Sequence, residues 1–276
     1  MYKMKNYILK NLSNLFLLVI SILWIVPLYS LFITSFKTIS EISESPTALP
    51  KIWSLRFYLE SWTGGNLSKF FLNSATVSIS AVIIVVFFSS LAAYGITKAK
   101  FSGHNFFYSF FIAGLFIPAQ ILIIPLFHLM SKTHLLNTFH GVALLYAAYA
   151  LPFCIFLFCG FFKGVPEEII ASAKIDGCSE FGIYLKIIMP LSKPVIATVV
   201  ILQFMWFWNE YFFALVFLNK QSVKTLPLAL AQYEATYVAN FSCLASGIII
   251  SIIPIVIIYI LFQKYFIRGL TEGAVK

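Results

Sequence analysis

Residues 165–194 read VPEEIIASAKIDGCSEFGIYLKIIMPLSKP, a polar, glycine-punctuated stretch between two long apolar runs. Pro166 suits the first position of a helix, where its missing N–H would be an orphan in any case. Glu167 and Glu168 fall in the first turn, at the positive end of the helix dipole. Ile169, Ile170, Ala173 and Gly177 recur at spacings near three and four and share a face, with Glu168, Ser172 and Lys174 on the other sides. Asp176-Gly177 supplies a stop, because glycine tolerates the left-handed conformation past a helix end. A second short helix is expected from near Ser179 to before Pro190, with Phe181, Tyr184, Leu185 and Ile188 on its apolar side, and Pro194 opens the next apolar run. Ala171, Ser172, Ala173 and Gly177 permit close backbone approach, as a joint between two rigid bodies requires. From periodicity alone two readings stand: a pair of helices that insert into a groove on another protein, or an amphipathic loop lying on the membrane surface.

Outward from this stretch the chain is built for lipid. Of 276 residues, 61% are hydrophobic and 11% charged, against roughly 45–50% and about 25% in soluble domains. Apolar windows of about 20 residues fall near 13–36, 70–97, 106–130, 140–162, 194–218 and 244–263. The expectation is an all-α, polytopic membrane protein with six transmembrane helices in one domain over 1–276, and a cytoplasmic segment at 165–190. Lys3, Lys5 and Lys10 precede the first window as in a secretory signal, but its apolar stretch is too long and no small-x-small site follows, so it reads as a retained anchor. The N-terminus, the 98–105 and 163–193 loops and the C-terminus hold twelve of the 19 Lys and Arg. The positive-inside rule therefore places both termini and the 163–193 segment in the cytoplasm. That distribution accounts for the net charge of +9 without a nucleic-acid partner.

The rest of the chain narrows the chemistry. Cys154, Cys159, Cys178 and Cys243 form no C-x-x-C pair, and His104, His128, His134 and His140 lack an i, i+4 ligand spacing, so no metal or catalytic role is assigned to them. Segment 37–69 carries Trp53, Phe57, Tyr58 and Trp62 and reads as an external loop with aromatics at the membrane surface, or as a plain connector. Glu210 is the one clear acid inside a window, and a carboxylate at a span centre costs about 2.5–3.5 kcal/mol, so it should face a cavity or a partner. A proton- or ion-coupled carrier would show several such groups. The P-loop pattern G-x-x-x-x-G-K-[ST] is absent. Gln203, Trp206, Trp208, Asn209, Glu210 and Tyr211, with Tyr146 and Tyr149 as weaker members, combine ring faces that stack on sugars with groups that bond hydroxyls. They suit an interfacial aromatic belt equally well.

The stretch also resembles the EAA motif of ABC importer permeases, which runs E-A-A, three residues, G, nine residues, then I-x-L-P. Ala171-Ser172-Ala173, Gly177 and Ile187-Ile188-Met189-Pro190 keep that spacing. Pro166-Glu167-Glu168-Ile169 and Ile175-Asp176-Gly177 are similar to the form in carbohydrate importers, and matches continue in order along the chain. They are Asn73-Ser74, Ala93-Tyr94-Gly95 with Phe101-Ser102-Gly103, Ile117-Pro118 with Pro125-Leu126, Leu136-Asn137-Thr138, Trp208-Asn209-Glu210 and Thr225-Leu226-Pro227. The run from Phe266 to Lys276 is similar to the tail of maltose-type permease subunits. One departure stands out: Ala171 occupies the acidic position of the motif, and Glu167 or Glu168 a turn earlier substitutes only in part.

The resemblance implies a type I importer permease fold with short coupling helices, set in a bacterial or archaeal inner membrane. It implies as partners an ABC ATPase dimer carrying ATP and Mg, a second permease that is a different chain, and a solute-binding protein, with no cofactor in this chain. The coupling residues would be Glu167, Glu168, Ala171, Ser172, Ala173, Asp176, Gly177 and Pro190. Trp208-Asn209-Glu210 would serve structure or gating near the external end of the path, and Gly273, Ala274, Val275 and Lys276 would reach the ATPases. The expected activity is passage of a sugar or oligosaccharide, with a non-sugar solute or a secondary carrier as alternatives.

Overall fold

Inside a bilayer no water is available to bond the backbone, so each span must satisfy its own N–H and C=O groups. The computed structural model describes residues 2–236 and 241–274, with side chains described for 11–232 and 241–264. Every regular element among them is helical: α1 (Tyr2–Thr34), α2 (Ile39–Glu44), α3 (Arg56–Leu59), α4 (Leu67–Tyr94), α5 (His104–Gly114), α6 (Ala119–Lys132), α7 (Phe139–Lys163), α8 (Glu167–Ile175), α9 (Glu180–Ile183), α10 (Met189–Leu191), α11 (Lys193–Asn209), α12 (Phe212–Phe217), α13 (Leu226–Thr236) and α14 (Phe241–Ala274). Wider π turns join some of them, at Glu60–Gly64, Gly95–Ala99 and Tyr184–Ile188. Gly273 and Ala274 end α14 with side chains outside the described set, and Val275 and Lys276 lie outside the described residues, as does any tail contact.

Four apolar helices are continuous and long enough to cross a membrane, over Asn11–Thr34, Leu67–Ala99, Phe139–Lys163 and Phe241–Lys264. The two remaining windows differ from the expected straight helices. Within 106–130 the chain turns by 102° between α5 and α6. Pro118 disfavours helical backbone in the residue before it, and it sits in extended conformation as the N-cap of α6. Within 194–218 the helix stops at Asn209, Glu210 is extended, and α12 restarts the run. The helical run from Glu180 to Leu191 meets α11 at a 75° bend.

The chain divides into two units, residues 1–68 with 230–252 and residues 69–229 with 253–276. In the first, the apolar window of α1 is almost wholly exposed, as a lipid-facing helix would be. The expected loop 37–69 contains α2 and α3. Thr38 and Glu41 form a capping box on α2. The buried Lys37 donates to the carbonyls of Ser45 at 2.8 Å and Pro46 at 3.1 Å. Ser61 donates to the Cys243 carbonyl at 2.8 Å, fastening the π turn to α14.

The second unit packs α7 against α11 and α5, with Cys154, Ile155 and Phe158 of α7 and Val199 and Phe207 of α11 buried. Gly114 lies against Pro152, where an added Cβ would come within 3.0 Å of the ring. The short matched pairs act here as clamps. Asn73 Nδ2 donates to the carbonyls of Ser222 and Lys224 at 3.1 and 2.8 Å, and Ser74 Oγ accepts from Leu226 N at 2.8 Å. Asn137, in the left-handed region at φ 58°, donates to the Phe217 carbonyl at 2.9 Å and accepts from Lys220 N at 2.8 Å. Thr138 caps α7 by accepting from Gly141 N at 3.2 Å. Buried loop backbone must find partners somewhere, and these short side chains supply them.

Candidate coupling surface and aromatic cluster

Pro166 takes the N-cap of α8, one position before the expected one, and Glu167 and Glu168 form the first turn. At the other end Gly177 adopts φ +78°. Its N–H bonds the Lys174 carbonyl at 3.1 Å and that of Cys178 bonds Ala173 at 3.0 Å, the paired pattern of a Schellman cap. Ser179 caps the next helix by accepting from Gly182 N at 3.2 Å. That helix runs past Pro190 to Leu191 instead of ending before it. A proline ring clashes with the carbonyl four residues back in a regular α-helix; the preceding turn widens to a π form, with Met189 N–H bonding Tyr184 five residues back, and the chain stays helical.

Burial selects among the residues of the expected apolar faces. Ile170, Ala173, Ile183, Tyr184 and Ile188 face inward. Ile169, Ile175, Phe181 and Leu185 stay exposed, Ile175 at 87%. Ala171, Ser172, Asp176 and Gly177 are exposed with them, as are Glu167, Glu168 and Lys174, so the outward side of this segment sets small residues between charged ones and is edged by large apolar groups. Such a surface suits a groove on another protein.

The inward side is tied to the end of α4. Tyr184 Oη and Ser90 Oγ lie 2.8 Å apart in a buried hydrogen bond. Tyr94 Oη donates to Glu180 Oε2 at 2.7 Å, and Glu180 also pairs with Lys174 at 2.6 Å. Lys98 Nζ donates to the Val165 carbonyl at 2.6 Å, and Lys100 pairs with Glu167 at 2.5 Å. The hydrogen bond from Lys100 and its charge hold the exposed Glu167 carboxyl below the usual range. Exposed ion pairs contribute about 0–1 kcal/mol each, so the buried Tyr184 bond and the apolar contacts carry most of the attachment. Sequence reasoning did not single out Ser90, Tyr94, Lys98, Lys100 or Glu180; only the Ala93-Tyr94-Gly95 match pointed near them.

The second group surrounds Glu210. Its carboxyl oxygens accept from Tyr146 Oη at 2.6 Å, from Phe213 N at 2.8 Å and from Ala214 N at 3.0 Å. It caps the first turn of α12 from within a buried site, 8% exposed. Three donors, two of them helix-end amides, offset the cost of placing a carboxylate there. Tyr146 is stacked on Phe207 at 5.6 Å and 16°. Tyr149 is stacked on Trp206 at 5.6 Å and 19°, with Phe213 edge-on at 5.5 Å. Trp206 is 37% exposed, whereas Tyr146 is fully buried.

The other expected members lie apart from this group. Trp208 is buried against Phe204 of its own helix and Phe71 of α4, on another side of α11. Asn209 donates to its own helix at the Met205 carbonyl, 2.8 Å away, and Tyr211 is exposed beside the break. Gln203 is buried. Phe207 and Phe213 complete the cluster and were missed, since nothing distinguishes them among 30 phenylalanines.

A long α4, a capped pair of short helices and a broken α11 fit a known pattern. Residues 85–272 match the model of the binding-protein-dependent transport system inner membrane component. The chain belongs to this family. It is 34% identical to the arabinooligosaccharides transport system permease protein AraQ of Bacillus subtilis, over 95% of this chain and 94% of that protein. Identity is 36% to the multiple sugar-binding transport system permease protein MsmG of Streptococcus mutans, over 92% of this chain and 93% of that one. A chain of a bacterial ABC transporter involved in import of the acidic polysaccharide alginate has the same fold, with TM-score 0.84, 22% identity and coverage of 95% and 98% of the two chains. The protein is thus a multi-pass membrane permease subunit of a binding-protein-dependent importer with the type I permease fold.

Proposed function

We propose that this permease forms one half of a path for a sugar or oligosaccharide and that α8 docks on an ABC ATPase. The observation that carries the docking is the outward face of α8, small and exposed at Ala171, Ser172 and Gly177, on a segment otherwise locked to α4. The names of the relatives support the cargo. The ATPase dimer would hold ATP and Mg, a different permease chain would complete the path, and a solute-binding protein would deliver the sugar. Closure of the ATPases would push α8 as a lever. The push reaches Glu210 along the helical run Glu180–Leu191 and α11, whose 17 residues span about 25 Å at 1.5 Å per residue. A receptor loaded with solute would bias the two states through its differential affinity for them.

In this reading Glu210 and Tyr146 form a gate hinge, because the carboxyl is engaged by Tyr146 and α12 instead of facing a sugar hydroxyl. Trp206 and Tyr149 offer the stacking surface for a sugar ring, with Asn209 and Tyr211 beside them. Both termini and the 163–193 segment lie in the cytoplasm.

The test of the docking is Gly177→Asp in the intact transporter. It should insert and assemble normally yet lose solute-stimulated uptake, with ATP hydrolysis no longer following solute; normal uptake would refute the lever. Orientation is checked on Cys178, exposed while Cys154, Cys159 and Cys243 are buried. An impermeant maleimide should label it in inverted vesicles stripped of peripheral subunits and leave it unlabelled in right-side-out ones.

A further inference from the structure

A recess of about 210 Å³ lies where the π turn after α4, the start of α5, the end of α7 and the start of α8 meet. Its polar wall is Lys98, Lys100, Lys163, His104, Asn105 and Glu167, three lysines against one carboxylate. Two of the lysines are engaged within the chain, Lys98 by the Val165 carbonyl and Lys100 by Glu167. Lys163 lies over the Tyr108 ring, 4.8 Å from its centroid, and pairs with no carboxylate among the described residues. Glu168 is a further acid whose charge acts on Lys98, so the cations remain in excess. Lys100, Lys163, Asn105 and Glu167 are exposed, and the recess opens to the surface between them. Its edge continues into α8: Glu167 and Ala171 stand four residues apart on one stripe of the helix, both exposed. A protein seated on Ala171 therefore comes within about 6 Å of Glu167 along the axis.

We infer that this recess receives an acidic side chain of the ATPase, a contact that presupposes the docking of α8 proposed above. The incoming carboxylate bonds Lys163 and the Asn105 amide and competes with Glu167 for Lys100. Two observations select this occupant. The excess of lysine fits an anion, and the mouth adjoins the exposed stripe of α8 that the docked protein covers. Position 171 of that stripe carries only a methyl group, so the charged part of the contact falls to the recess, with the cations on this chain and the acid on its partner. Hydrogen bonds from ammonium to carboxylate are the stronger kind, which makes the unpaired Lys163 the first candidate to hold it.

The experiment treats the assembled transporter with a water-soluble carbodiimide, which joins an amine to a carboxylate only where the two touch, and identifies the linked peptides by mass spectrometry. An isopeptide between Lys163 or Lys100 and an Asp or Glu of the ATPase is expected. Rebinding of the ATPase to stripped membranes is then titrated for Lys163→Glu, with Lys132→Glu as a charge-matched control outside the recess; both lysines are exposed, so no buried packing is disturbed. Affinity falls about tenfold in Lys163→Glu, or about 1.4 kcal/mol, mostly in the on-rate and most at low salt. The control stays at wild type, and reversing the linked ATPase acid to Lys restores binding to Lys163→Glu. Wild-type affinity in Lys163→Glu, or no isopeptide from either lysine to the ATPase, overturns the inference. So does displacement of the ATPase from the wild type, but not from Lys163→Glu, by millimolar inorganic phosphate or anionic lipid vesicles with no isopeptide formed, which would make this a small-anion or lipid site. A photo-crosslinker on Ala171→Cys, in a Cys178→Ser background, keeps the two readings apart. Capture of the ATPase there without the isopeptide removes the recess and leaves the docking standing; capture at neither place removes both.

Discussion

The α8 segment and the Glu210 cluster use polar residues in opposite ways. Around α8 and α9 the polar and ionic contacts run to Ser90, Tyr94, Lys98 and Lys100 and leave Ala171, Ser172 and Gly177 exposed. Around Glu210 both carboxyl oxygens are consumed inside the protein, by Tyr146 and the first turn of α12. In the proposed function a partner completes the first region, whereas the second is complete alone and would move only by breaking its own bonds. On that proposal one is a docking surface and the other a latch.

The sharpest way to break the contrast is Glu210→Ala. It leaves a buried tyrosine hydroxyl and two helix-end amides without their acceptor, at about 1–3 kcal/mol each for buried groups, so a loss of about 3 kcal/mol or more is expected. Thermal and denaturant stability of the assembled transporter should fall accordingly, whereas Gly177→Asp should stay within about 2 kcal/mol of wild type, the cost of one left-handed non-glycine residue. Similar losses from both changes would erase the distinction between latch and docking surface. Next in size, Tyr94→Phe removes the bond to Glu180 and should cost about 1 kcal/mol. Its larger mark should be on coupling, read as ATP hydrolysis per solute imported, and an unchanged ratio would show that α4 does not steady the lever. Trp206→Ala removes the part-exposed ring stacked on Tyr149 and should raise the half-saturating solute concentration at unchanged basal ATPase rate. If uptake is untouched, the stacked pair is packing alone. Smallest of all, Glu167→Gln removes an exposed pair and should leave stability unchanged at neutral pH. With its carboxyl held below the usual range, any contribution from this pair is present above the unfolded-state value and fades as pH falls through the lowered one.

Much of this contrast was legible beforehand, and the limits have physical causes. The caps of α8 and α9 could be read because Pro166, Gly177 and Ser179 act on backbone within a few residues of themselves. The inward and outward sides could not be read, because Ile169 and Ile170 are equal in hydrophobicity and only packing leaves the first exposed and buries the second. In the same way Trp206 and Trp208 looked like one aromatic group. A helix turns about 100° per residue, so residues two apart diverge, and one meets Tyr149 while the other meets Phe71.

Hydrophobicity and spacing by themselves determined that the chain enters a membrane as helices and where the short polar segment interrupts them, since both follow from local backbone and transfer energetics; the motif in that segment was read from its resemblance to a family. The tertiary structure showed how far two of the expected spans bend or break. It alone also paired Glu210 with Tyr146, 64 residues apart in sequence, and tied α8 and α9 to α4. Contacts between distant residues depend on how helices rotate against one another, and that rotation is fixed by packing all the facing side chains at once, which no local pattern encodes.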